Sequence, residues 1–267
     1  NLYLVCLVVC VTVLLGRLVS FFEPTGYIVP TAAGAILLAI LLNARIAVMA
    51  TFLSALLVSI QFGYDWQLLV TMCVMSVAGV LGVYRVRRRS DMTGAAIKAM
   101  LAGLIVTVAL TLATGSLDIG LGVRRIMLVV LNGMACMFII PGVLSPLERL
   151  FRITTDIQLL EYSDLNNELL SRIAIDIPAT YSHSLMLGQL AEAAADSIGA
   201  NGLLARVCAY YHDVGKLRRP EYFSENQHGY NVHTDLPPRL SARAIASHVA
   251  AGVEAAEEYD LPAPIRD

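Results

Sequence analysis

The sequence predicts an all-α protein in two parts, a polytopic transmembrane helical bundle followed by an all-helical soluble domain. Three observations carry this reading. Long apolar runs crowd residues 1–145, whereas charges recur regularly from about Thr155 onward. Only 15% of residues are charged and 57% are hydrophobic, where soluble domains carry about 25% charged residues. No segment alternates apolar and polar residues as a half-buried strand does, while the second part repeats apolar residues at helical spacing.

A spanning helix takes about 20 mostly apolar residues. Six runs are candidates: Leu2 to Phe22, Tyr27 to Leu42, Ile46 to Phe62, Trp66 to Tyr84, Ala95 to Thr114 and Ile126 to Leu144. The second is short and has Pro30 near its start. The break at Asn43-Ala44-Arg45 is the tightest and predicts a helical hairpin. Lys and Arg placement sets orientation. The cluster Arg85-Val86-Arg87-Arg88-Arg89 is expected on the cytoplasmic side. Alternation then places Asn43 to Arg45 inside, and Asp65-Trp66 and the Gly115 to Arg125 loop outside. The sixth run ends inside, where Arg149 and Arg152 follow it. Arg124 and Arg125 fall outside and run against the rule. Arg17 and Lys98 lie near the ends of their runs, and deep intramembrane charges are few. This favours an anchoring or signal-receiving bundle over a transport path. Gly34, Gly79, Gly82, Gly103 and Gly133 suit close helix packing.

Residues 146–165 read as a juxtamembrane connector and 166–267 as the soluble domain, with Ser163-Asp164, and Asn166 and Asn167 after it, as the cap for the helix that follows. His183 to Ile198 carries Leu185, Leu187, Leu190, Ala194 and Ile198 at amphipathic spacing, and Gly199-Ala200-Asn201-Gly202 stops it. Leu203 to His212 is a second helix, with Gly215 as its terminator. Arg218 to Arg239 is a polar, proline-containing loop. Ser241 to Tyr259 is a third helix, with Ile245, Val249, Val253 and Ala256 on one face.

A net charge of -2 without a basic stripe excludes a binder of nucleic acid polymers. The second part carries roughly twice as many acids as bases, as cytosolic enzyme surfaces do. Five cysteines without a CxxC pair exclude a disulfide framework and a zinc ribbon. They read as small buried hydrophobes in a reducing compartment.

The chemistry concentrates in Tyr210-Tyr211-His212-Asp213-Val214-Gly215-Lys216, with His183 upstream and His248 downstream. Imidazoles and a carboxylate drawn from separate helices suit a di-metal hydrolase. Two divalent ions clamp the attacking and leaving oxygens of a phosphodiester, and one carboxylate can bridge both ions. Successive helical residues point about 100° apart, so His212 and Asp213 can address two neighbouring ions from one helix end. Ligands without Cys favour manganese or iron over structural zinc. Taken singly, His183 reads as a cap or surface residue, His248 as packing, and Lys216 equally as a solvated lysine or a phosphate contact. The combination on predicted helices is more specific. His228 and His233 lie in the polar loop and read as non-ligands. Tyr222, Glu225, Asn226 and Gln227 are pocket-lining candidates that spacing alone does not place.

Further motifs join this one: Ser163-Asp164-Leu165-Asn166, Pro178-Ala179-Thr180-Tyr181-Ser182-His183-Ser184, Leu190-Ala191-Glu192-Ala193-Ala194, Ile198-Gly199-Ala200-Asn201, Arg219-Pro220 and Phe223-Ser224-Glu225-Asn226-Gln227. Together they resemble the HD-superfamily phosphohydrolases, and most closely the seven-transmembrane HD-domain family of bacterial cyclic di-AMP phosphodiesterases. The resemblance runs at motif level from about Leu147 to the end, and by architecture over the membrane part. It implies a multi-pass protein of the bacterial cell membrane with a cytoplasmic HD domain. The implied reaction is hydrolysis of cyclic di-AMP to linear pApA, with two divalent metal ions, manganese or iron. His183, His212, Asp213 and His248 match the family's metal ligands, with Asp213 as the bridging ligand. Asp213 and Lys216 are the expected catalytic residues. The implied partners are a cyclic dinucleotide substrate, the lipid bilayer, a second copy in a homodimer, and a ligand of an extracellular domain.

Family members carry that extracellular domain ahead of seven spans, and a further His-His pair and Asp beyond the position of Asp267. The sequence therefore reads as a fragment, inactive as it stands. Ala179 stands where the family usually has Gly. Two other readings are a cyclic di-GMP phosphodiesterase and a non-catalytic nucleotide-binding receptor. His228-Gly229-Tyr230-Asn231 is similar to the HD-GYP signature but lacks its Pro and lies too close to the His-Asp pair. Retention of His183, His212, Asp213, Lys216 and His248 argues against a decayed site.

Overall fold

The computed structural model describes residues 2–83, 89–114, 119–227 and 229–266. The basic cluster at 85–88, residues 115–118 of the expected outer loop, and His228 lie outside them. Among the described residues the chain is helical throughout, without a strand. It divides into two compact units, Asn1–Thr155 and Asp156–Asp267.

The first unit holds six apolar helices, α1 (Leu2–Val19), α2 (Thr31–Leu41), α3 (Ala44–Gln61), α4 (Trp66–Gly82), α5 (Arg89–Ala113) and α6 (Ile119–Phe151). Of these, α1, α3, α5 and α6 are long and apolar enough to cross a membrane unaided, whereas α2 and α4 are shorter. The 11 residues of α2 rise about 16 Å, about half the thickness of a hydrocarbon core. Pro30 sets its start, since a proline nitrogen offers no hydrogen for the preceding turn. The polar break that follows ends in Asn43, whose side chain accepts a hydrogen bond from Ile46 N at 2.9 Å and caps α3.

Yet α2 is the centre of the bundle. It packs against each of the other five helices, and Ile36 and Leu38 at its middle are fully buried. The non-helical backbone ahead of it therefore has polar groups enclosed by protein, and lipid supplies no partner for them. Asn132 of α6, 1% exposed, meets the need. Its Nδ2 donates to Tyr27 O and Val29 O, each at 2.9 Å.

The two arginines that ran against the charge rule are neutralised locally. Arg124 Nη2 lies 2.5 Å from Glu23 Oε2. Arg125 lies 3.7 Å from Asp65 Oδ2, donates to Gln67 Oε1 and covers the Tyr27 ring. Asp65 also caps α4, accepting from Gln67 N at 2.8 Å and Leu68 N at 3.2 Å. The loops after α1 and α3 and the start of α6 thus share one end of the bundle.

Helices α5 and α6 both begin earlier than their apolar runs. The sixth also continues past Leu144 to Phe151, through Pro141 and Pro146. Hydropathy marks the part of a helix that faces lipid, and the helix does not stop where polarity returns. Close packing follows the glycines: a Cβ on Gly82 would stand 2.9 Å from Ala95 Cα.

The second unit contains α7 (Asp156–Tyr162), α8 (Glu168–Asp176), α9 (Pro178–Ser197), α10 (Gly202–Tyr211), α11 (Pro238–Glu258) and α12 (Ala263–Arg266). Short 3-10 turns at Val214–Arg218, Pro220–Tyr222, Ser224–Asn226 and Val232–Asp235 fill the stretch read as a polar loop. Asn167, rather than Ser163 or Asp164, caps α8 and accepts from Leu169 N at 3.1 Å. Leu169, Leu170, Ile173, Ile177, Val207 and Val214 form the heart of the core. The expected apolar face of α11 divides: Ala256 is buried, while Ile245, Val249 and Val253 are exposed. Leu190 and Ile198 of α9 are exposed as well.

Replacing Asn132 with Leu removes both donated hydrogen bonds, which leaves Val29 O with Thr31 N alone and Tyr27 O without its side-chain donor. We expect a loss of about 1–3 kcal/mol, read as a lower midpoint of thermal unfolding in detergent. Asn132→Leu with an unchanged midpoint would show that water reaches this backbone.

Candidate metal centre

Three segments of the second unit bring the predicted site residues together. His183 sits one turn inside α9, because that helix starts at Pro178 and not at the histidine. Helices α9 and α10 pack with Gly188 against Tyr210, where a Cβ would lie 2.5 Å from the ring. This close approach leaves the rings of His183 and His212 5.7 Å apart.

Helix α10 ends at Tyr211, a buried residue whose hydroxyl donates to Tyr162 O at 2.7 Å. The chain then tightens into the 3-10 turn Val214–Arg218. In that turn residues three apart share a side, and Lys216 returns to Asp213 with Nζ 2.8 Å from Oδ2. Gly215 rests directly on the backbone of α11. A Cβ there would collide with His248 O and with Gly252 N. Only a residue without a side chain permits this contact, and it sets His248 Nε2 3.5 Å from Asp213 Oδ1.

The resulting geometry is centred on Asp213. One ligand atom from each of His183, His212 and Asp213 lies within 4.8 Å of the others. His212 Nε2 is 3.2 Å from Oδ2, and His248 approaches the other carboxylate oxygen. The donor set fits a divalent cation. His212 Nδ1 lies 2.8 Å from Ala209 O and His248 Nδ1 2.6 Å from Ile245 O. A carbonyl only accepts, so each Nδ1 carries the hydrogen, and each Nε2 can present a lone pair to a metal.

The charges are strongly coupled. Burial opposes ionisation of Asp213, but hydrogen bonds from His212 and Lys216 outweigh it and hold the carboxyl well below the usual range. The same hydrogen bond, donated by His212 to Asp213, raises the pKa of His212. Lys216 is raised despite its burial, by Asp213 and Glu225.

Glu225 is the residue that sequence spacing did not place. Its Oε1 lies 2.6 Å from Lys216 Nζ and 3.4 Å from Thr180 Oγ1, which also accepts from Asn226 Nδ2 at 2.9 Å. Gly215, read from sequence as a helix stop, is a contact surface instead. The signal available was Gly252, four residues after His248 in the middle of a helix. His233 stands apart from the cluster. Its Nε2 lies 2.7 Å from Tyr222 O and its Nδ1 2.6 Å from Ser241 Oγ, joining the loop to α11.

Comparison with known proteins places this geometry in context. The family described as 7TM receptor with intracellular HD hydrolase matches residues 1–155, and the HD domain matches residues 180–265. The cyclic-di-AMP phosphodiesterase PgpH of Bacillus subtilis (strain 168) is 34% identical over 280 residues, covering 100% of this chain and 39% of that protein. PgpH of Listeria monocytogenes serotype 1/2a (strain 10403S) is 35% identical over 248 residues, covering 91% of this chain and 34% of that protein. The chain thus spans about two-fifths or less of the length of these curated relatives. The crystal structure of the L. monocytogenes PgpH HD domain is 50% identical, with a TM-score of 0.37, over 38% of this chain and 49% of that one.

Two outcomes test this geometry. Gly215→Ala must push the 3-10 turn off α11 and carry Asp213 away from His248. We expect at least about a tenfold loss of manganese affinity, measured by calorimetry, and an unchanged affinity would separate Gly215 from the centre. Proton and metal compete for His212 Nε2. Because His212 is raised above its ordinary value of 6.5, affinity is full at high pH and falls as pH drops through a midpoint above that value. A pH dependence that is unchanged in His212→Ala would show that His212 is not a ligand.

Proposed function

The chain belongs to the family of 7TM receptors with an intracellular HD hydrolase, and from that premise we propose that it is a metal-dependent phosphodiesterase acting on cyclic di-AMP. The observation that carries this reading is Asp213, whose two oxygens face different histidines. Oδ2 faces His212, with His183 beside it, and Oδ1 faces His248. A carboxylate divided in this way suits a bridge between two ions. His183 and His212 would hold one with Asp213, and His248 the other. The hard oxygen and imidazole donors favour manganese or iron. Two divalent ions there supply charge neutralisation on a phosphodiester and a lowered pKa for water.

The chain's own residues do the rest. The Nδ1–H groups of His212 and His248, tied to backbone carbonyls, fix the orientation of both rings. Lys216 stays protonated and is shared between Asp213 and Glu225. Its Nζ can therefore turn to a phosphate oxygen without being left unpaired. Cyclic di-AMP is supported by the relatives, both of them named cyclic-di-AMP phosphodiesterases.

The bundle is a membrane unit, and we place the second unit on its cytoplasmic side. The cluster Arg85 to Arg89 supports this through the charge rule. Arg124 and Arg125 still count against it, two residues against the larger cluster, although each is paired with an acid.

The test assays the manganese-loaded membrane protein, extended to the full length of its curated relatives, on cyclic di-AMP and cyclic di-GMP, with Asp213→Ala as control. We expect preferential cleavage of the adenine substrate, reduced at least about a hundredfold in the variant. Cleavage that persists in Asp213→Ala would remove the bridging carboxylate from the mechanism. Metal binding without cleavage of either substrate would favour a nucleotide receptor.

A further inference from the structure

A cavity of about 550 Å³ opens beside the centre, between α11 and the turns that follow Lys216, and His248 and Gly215 form part of its wall. Its size falls within the range of about 300–1,000 Å³ usual for small-molecule sites. Three arginines line it: Arg218, Arg219 and Arg243. Arg218 is neutralised by Glu254, also in the wall. Arg219 and Arg243 form no ion pair among the described residues. Arg219 lies over the Tyr222 ring, 5.8 Å from its centroid, and Tyr222 lines the same cavity. The remaining wall is largely apolar, with Phe223, Leu236 and Leu240.

Two uncompensated guanidinium groups beside an aromatic face suit a ligand that is both anionic and flat. A guanidinium binds phosphate oxygens in pairs, and an aromatic face takes a base by stacking. Cyclic dinucleotides carry two phosphodiesters, of which one must reach the ions at Asp213 if it is to be cleaved. The other keeps its charge and needs a partner elsewhere. Resting on the functional reading above, we infer that this cavity is the subsite for the uncleaved phosphodiester and its nucleoside. Arg243 and Arg219 contact the phosphate, and the base takes the place of the Arg219 guanidinium over the Tyr222 ring. His248, common to the cavity and to the centre, marks where the two halves of the substrate meet.

The experiment compares two ligands on the manganese-loaded membrane protein. Cyclic di-AMP has two phosphodiesters, whereas bis(p-nitrophenyl) phosphate has one and does not need the cavity. Binding is read by calorimetry with cyclic di-AMP and turnover with both compounds. We expect Arg243→Ala and Arg219→Ala each to weaken cyclic di-AMP binding about tenfold, raising KM with little change in kcat. The KM for bis(p-nitrophenyl) phosphate should rise far less. Arg243→Lys should recover part of the loss, and Arg172→Ala, an equal change of charge outside the cavity, should bind as the unaltered protein does. Thermal unfolding of each variant separates a folding defect from a binding defect. Unchanged cyclic di-AMP affinity in both arginine variants, or equal losses on the two ligands, would overturn the subsite alone. Unaltered protein that cleaves bis(p-nitrophenyl) phosphate but neither binds nor cleaves cyclic di-AMP would overturn the functional reading, and the subsite with it.

Discussion

The second unit is organised around a carboxylate that is ionised and yet mostly shut away from water. Asp213 is 7% exposed, and an unpaired ion in such a place costs several kcal/mol. Its surroundings follow from that cost. Lys216 reaches it because the chain leaves α10 in a 3-10 turn, where the third residue along falls on the same side. His248 reaches it because Gly215 lets that turn lie directly on α11. His212 reaches it as the next residue in the chain, and its ring is steered by Ala209 O. The Tyr211 hydroxyl, bonded to Tyr162 O, pins the helix end from which all three arrangements begin.

The membrane unit obeys the same constraint in a different solvent. Lipid leaves backbone groups unpaired as firmly as a protein core does. In the break before α2, Asn132 pairs with two carbonyls, Tyr27 O and Val29 O. Arg124 and Arg125, costly near a bilayer if unpaired, each meet an acid from another loop. These long-range pairs join the loops after α1 and α3 to the start of α6, and they draw the short α2 into the middle of the bundle.

Much of this was legible in the sequence. Apolar runs located all six helices of the first unit, and helical periodicity located α9, α10 and α11. The His-Asp motif and its two outlying histidines named the cluster. What escaped depends on contacts between distant segments. That α2 is short and starts at Pro30 was legible, but its burial against all five neighbouring helices does not register in hydropathy. The ends of α5 and α6 lie beyond their apolar runs, because a helix continues for as long as its backbone bonds are made. The face of α11 was read as core from Val249 and Val253, yet Ala251 and Gly252 make the contact. Small residues let the backbones touch, and a scale of hydrophobicity ranks them low. Glu225 was visible only as one polar residue among several in a loop. Its place follows from the fold that carries Ser224–Asn226 back to Thr180 and Lys216.

The charges of the centre explain why it suits a phosphodiester. Asp213 and Glu225 are held ionised, with Lys216 as their shared counter-ion, so one negative charge remains to be met. The hydrogen bond between His212 and the Asp213 carboxylate raises the pKa of that imidazole. On the proposed reading, a divalent ion held by Asp213 and the histidines would leave the centre with a net positive charge. That surplus would attract an anion, and Glu225 would hold Lys216 in place while Asp213 faced the metal. On that reading the ion pair between Lys216 and Asp213 is also the arrangement that would present an ammonium group to a phosphate.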